Sequence, residues 1–165
     1  MSAPLAIEVD AGPDGVAEVI AVMHAAFAEY AATGLASGAM TETRATLLEE
    51  IAGGTSVAIV RVEGHAVASA KHHPAADGSL YFGRLGVVPG ARGRGIAGAL
   101  VRALRAHAHA QGRTGLSCLV RASESANIAL YQAWGMRITG RSERVSRTGA
   151  VISVVEMADT APLQG

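Results

Sequence analysis

Leu85-Gly86-Val87-Val88-Pro89-Gly90-Ala91-Arg92-Gly93-Arg94-Gly95-Ile96-Ala97 is the stretch whose reading decides the fold of this 165-residue chain. Its first residues are apolar and suit a strand, which Pro89 and Gly90 stop. Ile96, Leu100, Leu104 and Ala108 then recur on one face of a helix predicted over 95–111, and Gly112 ends it. The first N–H groups of a helix have no partner one turn back, and the helix dipole is positive at that end. Glycines let a diphosphate approach bare backbone, and the guanidiniums of Arg92 and Arg94 add charge-assisted bonds. A plain strand-to-helix turn needs its glycines only for packing. Two interleaved arginines, placed between a strand and an amphipathic helix, favour a phosphate cradle.

The flanking pattern predicts the other elements. Residues 5–9 suit a first strand. Pro13-Asp14-Gly15 offers a helix start with Asp14 as N-cap, and Val16, Val19, Ile20, Met23, Phe27 and Tyr30 follow at helical spacing. The small-residue loop Thr33 to Met40 ends that helix. Thr41 then caps a second helix, with Leu47, Leu48 and Ile51 inward and Gly53-Gly54 at its end. Strands are predicted over 55–62 and 66–73 around Glu63-Gly64, and over 79–88 after the turn His73 to Gly78. Beyond the central helix, residues 115–120 form a short strand. Ser123 or Ser125 caps a helix ending at Gly135, and 137–145 and 150–157 form a hairpin around Thr148-Gly149. The tail from Ala158 reads as frayed. The fold class is α/β (α+β): a single mixed domain over 1–160, with a mostly antiparallel central sheet flanked by helices and 161–165 as tail.

Composition narrows the function. Lys plus Arg and Asp plus Glu are both 14, so the net charge is zero and no whole-molecule field gathers nucleic acid or anionic membrane. Aromatics are 4 % against 50 % apolar residues, so aliphatic side chains must build the core. Cys118 is the only cysteine, which excludes an internal disulfide and argues against a thiolate metal site; no metal is expected. The start, Met1-Ser2-Ala3-Pro4, lacks a signal-peptide pattern, and a cytoplasmic protein is the expectation.

Gly93-x-Gly95-x-x-Gly98 also fits the dinucleotide fingerprint. That fingerprint expects its glycines directly after a strand and an acid about 20 residues on. Here Val88 to Arg92 intervene, and the next strand runs into Arg121. A Walker loop is excluded because no Gly-Lys-Ser/Thr follows.

The same residues resemble the GNAT superfamily of N-acetyltransferases. Leu85 to Ala97 is similar to its Arg/Gln-x-x-Gly-x-Gly/Ala motif with the preceding strand. Asn127-Ile128-Ala129-Leu130-Tyr131-Gln132-Ala133-Trp134-Gly135-Met136 is similar to its second signature, Asn-x-x-x-Tyr before a helix-ending Gly. The likeness is strong over 79–140 and rests on pattern alone over the first 75 residues. It implies an acyl-CoA transferase fold and acetyl-coenzyme A as cofactor. Leu85, Gly86 and Val87 would offer backbone to the pantetheine arm, with an N–H near Val87 polarising the acetyl carbonyl. Arg92, Gly93, Arg94, Gly95, Ile96, Ala97 and Gly98 would hold the diphosphate, and Asn127 would bond the arm. Tyr131, one helical turn after Asn127, would protonate the departing thiolate; a phenol near pKa ~10 suits a thiol near ~8.5.

An attacking ammonium must also lose a proton. Many family members carry an acid on the strand before the turn, where this chain has Gly83 and Arg84. His72, His73, Tyr81 and Glu29 are the candidate bases, while His107 and His109 read as solvated and Cys118 as a small buried residue. Glu124 and Arg121 read as surface residues near the strand end. Thr33 to Met40 and Tyr30 would wall the acceptor site. The acceptor is expected to be an amine of a small molecule, an amino acid or a peptide. The C-terminal hairpin offers an edge for homodimer pairing. Two other readings stand beside N-acetyl transfer: a non-catalytic acyl-CoA sensor on the same fold, and an NAD(P)-dependent oxidoreductase using the Gly93 fingerprint.

Overall fold

The computed structural model describes residues 3–29, 38–145 and 149–160. The chain divides into two compact units, Met1–His73 with Phe82–Leu104, and Pro74–Tyr81 with Arg105–Gly165.

The first unit contains β1 (Leu5–Glu8), α1 (Val16–Phe27), α2 (Arg44–Ala52), β2 (Ser56–Val62) and most of β3 (His65–Pro74). It also holds the last six residues of β4 (Leu80–Val87) and the first nine of α3 (Ile96–Ala110). Its strands are ordered β1-β2-β3-β4, with β1 and β3 each antiparallel to β2. The 3.6-residue period of Val16, Val19 and Met23 places them on one face of α1, where they pack with Ala39, Leu47, Val57 and Ile59. Ile20, Phe27 and Ile51 pack against that cluster at its margin. At Gly86 a Cβ would stand 2.7 Å from Ala26 Cβ and 2.9 Å from Phe27 Cε2, so only glycine lets the last turn of α1 lie on β4.

The second unit contains β5 (Leu116–Arg121), α4 (Ser125–Ala133), β6 (Met136–Val145) and β7 (Val151–Asp159). Leu80 and Tyr81 of β4 pair in parallel with Leu116 and Ser117 of β5. β7 lies between β5 and β6, antiparallel to both. The element order and the mixed, mostly antiparallel architecture are those expected from the sequence.

Several local readings are corrected. Asp14 caps nothing: Pro13–Gly15 is a 3-10 turn, and Gly15 precedes α1 without a side-chain cap. The cap of α2 is Thr43, which forms a reciprocal pair with Thr46, whereas Thr41 bonds Gly38 O at 2.9 Å. Leu48 is exposed rather than inward. Neither serine caps α4; Glu124 occupies that position without a side-chain bond. Tyr30, most of the Thr33 to Met40 loop, Thr148 and residues 161–165 lie outside the described residues.

Ala158 and Asp159 belong to β7 rather than to a frayed tail. Asp159 explains why the strand continues there. Its carboxylate, only 10 % exposed, accepts from Arg105 Nε at 3.0 Å, Arg105 Nη2 at 2.8 Å and Leu116 N–H at 2.9 Å. Arg105 also donates to Trp134 O at 2.6 Å, so one bidentate pair joins α3, β5, β7 and the end of α4. Asp159→Asn should lower stability by about 3 kcal/mol, because it leaves a half-buried guanidinium without its counter-charge. Urea unfolding measures this, and a loss below about 0.5 kcal/mol would show the pair to be a surface contact only.

Candidate active site

The glycine-rich turn lies in the first unit. β4 ends at Val87, Pro89–Ala91 form a 3-10 turn, and α3 starts at Ile96. Gly93 and Gly95 have φ of 79° and 74°, the left-handed region that side chains disfavour. A Cβ at either position, or at Gly90, would meet no protein atom within 4 Å. The glycines are therefore demanded by backbone conformation and by openness, and not by close packing against another segment. Ala99 N–H donates to Gly95 O at 3.1 Å, the first bond of the helix. Among the described residues, the amides of Gly93 to Gly98 donate to no protein acceptor. This is a run of bare donors at the positive end of a 15-residue helix.

The side chains of the turn divide the work. Ile96 is buried at 3 % exposure, so only its amide is available to a ligand. Arg94 is exposed and has no partner among the described residues. Arg92 turns back onto the protein. Its Nε donates to Val87 O at 3.2 Å and its Nη2 to Ala26 O at 2.9 Å, and Nη2 lies 3.1 Å from Glu29 Oε1. Of the two arginines in the motif, Arg94 alone has a guanidinium without protein partners. Leu85, Gly86 and Val87 are half-buried at the end of β4.

Residue 84 departs from regular strand geometry. Arg84 has φ of 52°, in the left-handed region, directly before Leu85. Such strain in a non-glycine residue costs on the order of 1–3 kcal/mol and gathers at functional sites. Arg84 Nε is 3.9 Å from Glu42 Oε2, and its guanidinium lies where a side chain at position 38 would stand, so Gly38 makes room for it.

Glu42 is a charged group that sequence reasoning missed. It is 6 % exposed; Lys71 Nζ donates to its Oε1 at 2.6 Å and to Glu50 Oε2 at 2.8 Å. Burial raises the Glu42 carboxyl above the usual carboxylate range, and the neighbouring Glu50 adds to this against the pull of Lys71. Lys71 is the only lysine of the chain, and it is held between two carboxylates. Spacing offered no signal for this cluster, because Lys71 is 29 and 21 residues from Glu42 and Glu50 and meets them only through the fold.

The remaining candidates separate clearly. His72 is 2 % exposed, with Nε2 bonded to Val9 O at 2.7 Å, which makes it a packed histidine. Glu29 is paired with Arg92. His73 is exposed. Cys118 is 4 % exposed, and its thiol is pushed up to about 12 by burial and then by the Asp159 charge, so it is no nucleophile. Asn127 and Tyr131 lie in the second unit on α4, one turn apart and both half-buried. The Asn127 side chain makes no hydrogen bond among the described residues. The Tyr131 ring packs on Trp134 at 5.6 Å between centroids. Among the described residues there is no cluster that could hold a metal, and no helix is long and apolar enough to cross a membrane.

Comparison with known proteins places the chain in a family and a fold. The family model described as Acetyltransferase (GNAT) family matches residues 22–136. No curated protein matches in sequence. Among solved structures, the ribosomal-protein-S18-alanine N-acetyltransferase from Escherichia coli is similar at TM-score 0.76 and 18 % identity, over 98 % of this chain and 97 % of that one. An acetyltransferase of the GNAT family from Streptococcus pneumoniae reaches 0.73 at 20 %, over 94 % and 98 %. The yncA protein from Salmonella typhimurium, solved with its cofactor acetyl-CoA, reaches 0.74 at 16 %, over 98 % and 96 %.

The Lys71 cluster makes a pH-dependent prediction. Lys71→Met leaves Glu42 and Glu50 facing each other without a cation, at a cost of about 3 kcal/mol near neutral pH. The Glu42 carboxyl, raised by burial and by Glu50, loses the cation that opposes that rise and binds a proton more readily in the folded variant than when unfolded, so the deficit should shrink as the pH falls toward 5. Denaturant unfolding at the two pH values reads this, and an equal deficit at both would exclude a charge origin.

Proposed function

The chain belongs to the acetyltransferase (GNAT) family, and from that membership we propose that it moves acetyl from acetyl-coenzyme A to a primary amine of a small molecule, an amino acid or a peptide. The observation that carries this reading is the open turn at Gly93 and Gly95. Among the described residues its amides face no protein acceptor, its positive-φ glycines leave open space and Arg94 beside it has no partner. These residues fit a diphosphate, and acetyl-CoA is the cofactor named in the similar Salmonella structure. The family match runs through residues of both units, which supports treating 1–160 as one functional domain.

Bound acetyl-CoA supplies a thioester carbonyl for direct attack by the amine. In this reading Leu85 to Val87 offer backbone to the pantetheine arm and the amides of Gly93 to Gly98 hold the diphosphate, the Arg92 amide being bonded to Pro89 O at 3.3 Å, while Asn127 bonds the arm through a side chain without a hydrogen bond among the described residues. Tyr131 donates the proton that the departing thiolate takes up. Glu42 is the carboxylate proposed to receive the ammonium proton, in place of the acid missing at Gly83. Burial raises its carboxyl above that of an exposed glutamate, and its Oε2 lies 3.9 Å from Nε of Arg84, the residue before Leu85. The absent acid at Gly83 is also the one feature that favours the second reading, an acyl-CoA sensor without catalysis.

Thiol release from acetyl-CoA across a panel of amines separates the two. At least one amine should raise release well above background, and Tyr131→Phe should lower kcat by about 10²-fold while leaving acetyl-CoA affinity nearly unchanged. Glu42→Gln should remove the acidic limb of the pH–rate profile. Background release with every amine, despite tight acetyl-CoA binding, would establish the sensor instead.

A further inference from the structure

A carboxylate without a counter-charge stands on the sheet of the second unit. β7 lies between β5 and β6, and Cα partners on paired strands point to one face. Leu119 of β5, Glu156 of β7 and Gly140 of β6 form one row across these strands. The residues on either side of Glu156, Val155 and Met157, turn to the other face and are buried at 1 % exposure or less. Glu156 therefore projects from the face that does not carry this core. It is half-buried, and its carboxylate has no partner among the described residues. Glu42, Glu50 and Asp159, also sheltered, each meet a cation. Gly140 explains where the Glu156 side chain goes. Glu156 Oε2 stands where a side chain at 140 would begin, and its Cδ is 3.4 Å from that point.

The next row supplies a cation. Arg137 and Ala158 are Cα partners, so Arg137 is a diagonal neighbour of Glu156, at about 7 Å. Residues 137 and 140 would face opposite ways on a regular strand, and the bulge between Ile138 and Gly140 brings both to one face. Arg137 is exposed, and its guanidinium has no partner among the described residues. The row on the other side of Glu156 is closed, since Val154 is 8 % exposed and Ser142 Oγ is buried without a partner. The open approach is over Ala158, between an acid and a guanidinium that do not pair with each other.

We propose that this face binds an α-amino acid, with its ammonium on Glu156 and its carboxylate on Arg137, and that this amino acid is the acetyl acceptor. Only the second half rests on the acetyltransferase reading. An α-amino acid carries both charges on one carbon, which suits opposite charges that flank a common gap over a small residue. The guanidinium fork takes a carboxylate through parallel bonds. One N–H of the ammonium goes to Glu156, and the others stay available to a base. Leu119, half-buried in the Glu156 row, offers apolar surface to an aliphatic side chain. Arg121 is the diagonal neighbour of Glu156 on β5 and opposes a second positive charge on the ligand.

Isothermal titration with L-alanine, L-valine and L-leucine, each against its carboxamide and its decarboxylated amine, reads the site directly. At least one amino acid should bind about tenfold tighter than its amide and its amine. Glu156→Gln and Arg137→Gln should each weaken that binding about tenfold, with coenzyme A affinity unchanged. Gly140→Ala, whose Cβ displaces the carboxylate, should weaken it as well while circular dichroism stays that of the wild type. In acetyl transfer, Glu156→Gln should raise the amino-acid KM about tenfold with kcat within about threefold. Equal binding of amine and amino acid overturns the carboxylate contact and the assignment of the ligand. Wild-type affinity in both Glu156→Gln and Arg137→Gln overturns the site. Failure of all three amino acids to bind overturns it too, and thiol release with another amine would then leave the acetyltransferase reading standing. Binding that is lost in Glu156→Gln, without thiol release from any amine in the wild type, supports the site and overturns the acceptor role.

Discussion

The amides at the start of α3 impose the constraint on which the rest of this structure depends. A helix begins with donors that have no partner one turn back, and in a buried setting those donors must be capped. Here no side chain caps them among the described residues, and the turn ahead is kept open by glycines with positive φ. No protein group fills that opening among the described residues, so α3 must be anchored by other means. Its apolar face supplies them: Ile96, Leu100, Val101, Leu104 and Ala108 are all buried at 3 % exposure or less. The core holds the helix, and the helix presents bare backbone.

Charge is used sparingly around that core. Lys71, Arg92 and Arg105 each engage more than one segment, and each meets at least one carboxylate. Arg105 raises the order of a strand terminus that would otherwise fray, and Arg92 closes a helix end. Lys71 lets the buried Glu42 and the more exposed Glu50 sit on one ammonium. A chain with 4 % aromatics has few large plates with which to orient its elements. Multi-dentate cations provide orientation where aliphatic packing, which is nearly non-directional, does not.

This difference between local and distant partners explains what could be read from sequence. The glycine turn was legible because its requirements are local: positive φ at Gly93 and Gly95, a strand before them and an amphipathic helix after. Element order was legible from periodicity. The misreadings fall where a nearby residue competes with a more distant one. Thr41 and Thr43 are both plausible caps, and only Thr43 finds Thr46 three residues on. Ala158 looked terminal because the anchor of Asp159 is Arg105, 54 residues away. Glu42 was invisible as a buried carboxylate because its cation comes from β3, 29 residues on. Arg92 sits in the most recognisable motif of the chain, yet its side-chain partners at Ala26 and Glu29 could not be inferred from that motif.

The same reasoning separates what the protein holds from what it acts on. A diphosphate can be bound by backbone amides alone, and backbone geometry is written in glycine placement. An amine acceptor must be recognised by side chains brought together from several elements. Among the described residues of the first unit, Glu42 and Arg84 are 42 residues apart in sequence yet 3.9 Å apart in space, with Arg84 strained at φ 52° directly before Leu85. Lys71 already occupies the other Glu42 oxygen, so a bulky cation has little of that carboxylate left to bind. On the proposed reading of Glu42 as proton acceptor, Arg84 at its second oxygen would repel a further positive charge on the approaching amine.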